Sequence, residues 1–371
     1  MTIKARATLL PALCTVLLAS CGGQPGGNAP GAISVQAGDN ACTLSTTSAP
    51  AGTIRFDVTN TGSQVTEFYL FGEGDRIVSE VENIGPGLTR QLVADVPQGG
   101  KYTTACKPGM QGDGIRGEFT VTGSAAAPDG AAARSVTDYK QYVDQQAAEL
   151  KTSTARFAEA VKSGDVALAK QLYASARLPW ERIEPVAESF GDLDPKMDGR
   201  EADLEPGQAF TGFHRLEKDL WVTGPQPDTA AIADQLVADT DQLVAQTSGV
   251  ELTPAGIAGG AKELLDEVAT SKVTGEEETF SHTDLWDFRA NVDGAKQVIS
   301  ALRPVLAAKD PQLLGTLDEK FAAVDALLAR YQVGDGFRLY TELSPEQVRE
   351  LAAAVDALGE PLSKTAGVVV R

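Results

Sequence analysis

The chain has 371 residues, enough for two domains, and sets 51 acidic against 32 basic side chains for a formal charge of −19. So acidic a surface repels nucleic acid and offers no polybasic patch to anionic lipid, which excludes both as partners held by charge. Acidity by itself is a solubility device, although it is compatible with cation binding.

The first 20 residues read as a signal peptide: Lys4 and Arg6 precede an apolar run from Ala7 to Ala19 that is too short to span a bilayer. The run ends Leu18-Ala19-Ser20-Cys21, which looks like a bacterial lipobox and implies cleavage before Cys21 and lipidation of its thiol. The alternative is a plain signal peptide beside a chance cysteine. Cleavage takes away two cations and no acid, which brings the formal charge to −21. No other run is apolar enough to cross a membrane, and 21–32 is a Gly-rich tether. Cys14 lies in the signal, so Cys42 and Cys106 are left as a potential disulfide in an oxidising compartment.

Residues 33–123 carry short β-branched and aromatic runs ("TIRFDVTN", "TEFYLF", "GEFTVT") separated by Gly, Pro and Asn, the pattern of a β-sandwich. Met110 follows Cys106 by four residues as in a blue-copper loop, but residues 33–123 contain no histidine, so blue copper is rejected. An Ala- and Gly-rich linker, 124–134, leads into residues 135–371, where the periodicity turns helical and strands disappear. Helices are expected at 136–163, 165–190, 206–222, 228–247, 254–272, 282–303, 310–332 and 344–358, with start signals at Asp310-Pro311 and Ser344-Pro345. The fold class is therefore multidomain, a β-sandwich followed by an all-α bundle.

In "FTGFHRLEKDLW" the residues Phe210, Phe213, Leu216, Leu220 and Trp221 form an apolar stripe with Glu217 in its middle and His214 at its flank. A buried carboxylate is costly unless it is paired or binds a metal, and an imidazole one turn away suits a first-row metal ion. The bland alternative is a Glu217–Arg pair with His214 as a satisfied core histidine. In "LYASARLPWERIEPVAESF" the core stripe leaves Glu184 at its edge and Glu181 further round, placed to clasp an ion at the rim of the bundle. The acidic loop from Asp192 to Glu205 and the "GEEETFSHTDLWDF" stretch add more oxygen donors, for which a solvated face is the default. Oxygen ligands in excess over nitrogen favour iron, calcium or manganese over copper.

The blocks "WERIEPVAESFGDLDPKMDGREAD", "FTGFHRLEKDLW", "LLDEVATSKVTGEEE" and "FSHTDLWDFRANVDGAK" closely resemble the EfeO proteins of bacterial iron-uptake systems, from about Ile33 to the C-terminus. The resemblance implies a cupredoxin-like domain joined to an imelysin-type helical domain. It places a His-x-x-Glu metal motif on His214 and Glu217, and a carboxylate-rich site on Glu181, Glu184, Asp198 and Glu277. In the sandwich it implies a Cys, Glu, Cys set on Cys42, Glu67 and Cys106, so a metal or redox site and a disulfide both stay open there. The implied function is a lipid-anchored extracytoplasmic iron binder that delivers Fe2+ or Fe3+ to an EfeU-type permease beside an EfeB-type haem peroxidase. Copper or another divalent cation is the alternative ion. The helical family also bears a metallopeptidase name, but the chain has no His-Glu-x-x-His pair and no nucleophile set. A peptidase and a purely docking lipoprotein are the rival functions.

Overall fold

The computed structural model describes residues 31–370 except 126, 129, 192, 205 and 206, and leaves out the side chains of 188 and 270. The expected signal peptide, Cys21, most of the tether, Asp192 and Glu205 lie outside the described residues.

Nine strands build the expected sandwich: β1 (Ile33–Ala37), β2 (Cys42–Leu44), β3 (Ser48–Pro50), β4 (Gly52–Asn60), β5 (Thr66–Phe71), β6 (Ile77–Ile84), β7 (Thr89–Val96), β8 (Gln98–Cys106) and β9 (Ile115–Ser124). They form a four-stranded sheet, β2-β1-β4-β7, and a five-stranded one, β3-β9-β8-β5-β6. Alternation along β4 and β5 turns Phe56 and Phe68 into the space between the sheets, where their ring centroids lie 5.2 Å apart and Phe119 lies 5.5 Å from Phe56. Cys42 on the edge strand of one sheet is disulfide-bonded to Cys106 in the other, a closed loop of 64 residues in sequence separation. Replacing both cysteines by alanine is expected to cost the sandwich about 2–4 kcal/mol, read as an earlier urea transition of its tyrosine signal. An unchanged midpoint would show that the core alone holds the two sheets together.

The helical part contains α1 (Gly130–Lys162), α2 (Val166–Ile183), α3 (Leu193–Asp198), α4 (Gly212–Lys218), α5 (Thr229–Thr247), α6 (Pro254–Thr270), α7 (Asp284–Lys309), α8 (Pro311–Ala329), α9 (Pro345–Leu362) and α10 (Thr365–Val369). Several boundaries differ from expectation. α1 starts inside the expected linker, because Ala131–Ala133 are strong helix formers. α2 tightens at Glu184 into a 3-10 segment reaching Phe190, since Pro185 has no N–H to continue the α ladder. Residues 332–333 and 336–337, expected as helix end and loop, pair as a two-rung hairpin. The start signals hold: Asp310 accepts from the Leu313 N–H at 2.9 Å, and Ser344 forms a capping box with Gln347.

The bundle buries Tyr139, Phe157, Tyr173, Trp180, Phe213 and Phe288 in one core, with α2 held between α1 and α7. α6 packs on β6 and β7 and so seats the bundle against the sandwich. Among the described residues no helix is long and apolar enough to cross a membrane.

Candidate metal centre

His214 and Glu217 lie on α4, whose entry is fixed by a close crossing. Gly212 has φ +77°, and a Cβ there would collide with the carbonyls of Lys196 and Met197 on α3. Thr211 reinforces the crossing by donating to the Lys196 carbonyl at 2.8 Å. α3 thereby brings its last residue, Asp198, against His214.

The imidazole is the hub. Its Nδ1 lies 3.4 Å from Glu217 Oε2, and its Nε2 lies 3.5 Å from Asp198 Oδ1 and 3.7 Å from Glu277 Oε1. Both residues of the motif are buried, His214 at 2% exposure and Glu217 at 0%. Glu217 does not take the arginine considered as its alternative partner. Its Oε1 instead accepts the backbone N–H groups of Phe280 and Ser281 at 3.0 and 2.6 Å, tying α4 to the connection before α7. Two sets bring three ligand atoms within 4.8 Å of one another: Asp198, His214 and Glu277, and His214, Glu217 and Glu278.

The acids do turn inward, but in this structure the cations that neutralise them are two side chains the sequence did not single out. Arg177, fully buried on α2, pairs with Glu181 and Asp198, and lies 2.8 Å from Glu278, 3.4 Å from Glu277 and 3.6 Å from Asp287. Lys272, 1% exposed, reaches Glu184 at 2.6 Å, Glu181 at 3.2 Å and Glu277 at 3.6 Å. Asn291 of α7 donates to Glu181 at 2.9 Å and Glu184 at 2.6 Å. Trp180 donates its indole N–H to Asp198 at 2.9 Å. A sign of Arg177 was present in the sequence: it stands four residues before Glu181 and falls on the Tyr173–Trp180 stripe.

Glu181, expected off the core at the bundle rim, is fully buried, because α2 is covered on two sides by α1 and α7. Glu277, Glu278, Asp284 and Asp287, for which solvation was the default, are buried as well, whereas Glu276 is exposed. The four carboxylates Glu181, Glu184, Asp198 and Glu277 and the His214–Glu217 pair therefore form one continuous centre.

Burial and the Arg177 charge oppose protonation of His214, but bonds to Glu217 and Glu277 and the Asp198 charge outweigh them and raise its pKa to about 9. Burial pushes Glu278 and Asp287 well above the usual carboxylate range, helped by the charges of Glu217 and Glu278 respectively. Burial acts the same way on Asp198 and Glu277, yet Arg177 in the one case and Lys272 in the other, with His214 in both, bring them below it. The centre thus holds basic imidazole and ionised oxygen donors together away from water, a donor set suited to iron or another first-row cation.

The Cys, Glu, Cys set of the sandwich is not assembled. Phe68 and Cys106 face the core, while Glu67 shares the opposite face of β5 with Tyr69, whose hydroxyl donates to it at 2.9 Å. With both sulfurs in the disulfide, no thiolate remains as a ligand there.

The imelysin family matches residues 135–365, and the cupredoxin-like domain matches residues 10–121. The iron uptake system component EfeO of Yersinia pestis is 39% identical over 346 residues, 91% of this chain and 91% of its own. That of Escherichia coli O157:H7 is 38% identical over 343 residues, with 91% of each chain covered. A solved structure of reduced auracyanin from Roseiflexus castenholzii covers 26% of this chain and all of its own at 22% identity, with a TM-score of 0.22, and adds nothing to the fold assignment. With both parts matched and relatives aligned over nearly the whole length, the chain belongs to the EfeO family of iron uptake system components.

Proposed function

We propose that the protein is the extracytoplasmic iron-binding member of an uptake system, anchored through a lipidated Cys21, which captures Fe2+ or Fe3+ at the His214 centre and passes it to a membrane permease. The observation that carries this reading is the convergence of two three-ligand sets on one buried imidazole. The relatives' name as iron uptake components supports it. The Efe-type permease and haem peroxidase are the partners this reading implies, and the folded units we assign are 33–123 and 135–371.

The chemistry is exchange, with no bond of the protein made or broken. Seven carboxylates (Glu181, Glu184, Asp198, Glu217, Glu277, Glu278 and Asp287) face three cationic groups, Arg177, Lys272 and His214. A metal ion that displaces the His214 proton and loosens an ammonium or guanidinium contact meets donors already held in place, so little ordering entropy opposes its capture. Release follows the reverse exchange, with the side-chain cations reclaiming the oxygens.

Glu217→Gln tests this reading. The amide oxygen can still accept the Phe280 and Ser281 N–H groups, but the charge opposite His214 is gone. Anaerobic equilibrium dialysis of the full chain against Fe2+ is expected to show binding at this centre weakened at least tenfold, with the helical circular dichroism unchanged. Undiminished affinity would refute the assignment.

A further inference from the structure

A second concentration of acid lies outside the centre, where the sandwich meets the bundle. Tyr69 of β5 and Glu80 and Glu82 of β6 line a cavity of about 550 Å3, closed on the far side by Glu184, Glu263 and Glu267. The register explains the sandwich half: Tyr69 pairs with Glu80, so both point out of the same sheet face toward α6. Glu80 is only 7% exposed, yet its carboxylate makes no hydrogen bond or ion pair among the described residues. The carboxylate therefore faces the cavity with nothing of the protein to neutralise it.

The nearby cations already have partners other than Glu80 and Glu82. Lys262 pairs with Asp266, Arg200 with Asp203 and Glu277, and Lys272 with Glu184, while the Lys107 ammonium sits 4.1 Å over the Tyr69 ring. Burial, reinforced by Glu80 and Glu67, raises the Glu82 pKa to about 8, and burial with the charge of Glu80 holds Glu263 well above its ordinary value. The cleft has room to fill and, in Glu80, a side chain 7% exposed whose carboxylate has no hydrogen-bond donor or cation among the described residues.

We propose that the cleft between β6 and α6 is a second cation site, distinct from the His214 centre, which takes one hydrated divalent cation among Glu80, Glu82, Glu263 and Glu267. The ion keeps its waters because, among the described residues, only the two His214 sets bring three ligand atoms within 4.8 Å of one another. Water-mediated carboxylate contacts in a roomy cavity suit a hard, reluctantly dehydrated dication. Glu184 lines this cleft and also bonds Lys272 of the buried centre, so a captured ion waits one side chain away from the deeper ligands. The site rests on the cleft's own residues and stands whether or not His214 binds iron.

Mn2+ is the probe, with free ion counted by electron paramagnetic resonance during titration of the full chain at neutral pH. Two equivalents are expected for the unaltered protein. The Glu80→Gln/Glu82→Gln variant should lose one of them, its Kd rising at least tenfold, and should melt without metal at the same or a higher temperature because repulsion has been relieved. His214→Ala should lose the other equivalent and retain the cleft ion. Retention of both equivalents by the double variant, or a loss accompanied by a lower metal-free Tm, would overturn the proposal. Retention of both by His214→Ala would count against the iron centre and leave the cleft site supported.

Discussion

Arg177→Ala is expected to remove about 3–5 kcal/mol from the stability of the helical part, the cost typical of leaving buried charges without their partner. The guanidinium is fully buried and within ion-pair reach of Glu181, Asp198, Glu277, Glu278 and Asp287. Its carbon lies 5.6 Å over the Phe213 ring, so truncation also removes packing. For a unit of this size the loss corresponds to a fall in Tm of about 10–15 °C, measurable by calorimetry. Arg177→Lys should recover only part of it, because an ammonium cannot present the planar fork that meets several carboxylates at once. A change under about 1 kcal/mol would mean that the acids hold protons and never needed the arginine.

Metal affinity should rise steeply with pH. His214, with its pKa raised to about 9, is an imidazolium at neutral pH and must give up a proton to bind a metal. Below pH 9 each binding event therefore releases that proton, and Kd falls by about tenfold per pH unit, or about a hundredfold from pH 6 to pH 8. Asp198, Glu217 and Glu277 are held below the usual carboxylate range against the pull of burial, so they add no further proton over this interval. Burial drives Glu278 in the opposite direction, and its proton would also have to leave if it were a ligand. The slope thus chooses between the two sets: one proton for Asp198, His214 and Glu277, and two for His214, Glu217 and Glu278. Calorimetric titration in buffers of different ionisation enthalpy gives the count. Affinity independent of pH would show that His214 is not a ligand.

The elements that were legible in the sequence are those whose cause is local. Alternation in "TIRFDVTN" reports β4 because one face of that strand meets the core, and Asp310 and Ser344 announce helix starts through their own side chains. The inward turn of His214 and Glu217 was legible because a carboxylate amid aromatic residues is locally anomalous. The burial of Glu181 was not, since a helical wheel assumes one buried face and α2 has two. Lys272 was not legible either. Its burial depends on Glu181 and Glu184, some ninety residues earlier, and nothing in "ATSKVTGEEE" distinguishes it from a solvated lysine. The separation of Glu67 from the cysteines follows from strand parity: Phe68, paired with Cys106, takes the core side and sends its neighbour out the other way.

α6 rests on β6 and β7 of the sandwich and runs directly into the short turn that holds Lys272 among the acids. At 17 residues it is a rod of about 25 Å, stiff on the scale of side-chain motion. The Lys272 cluster and the sandwich are thereby mechanically in series: whatever tugs on the lysine at one end has a lever arm at the other. A partner gripping the sandwich would be holding the handle of the acidic centre.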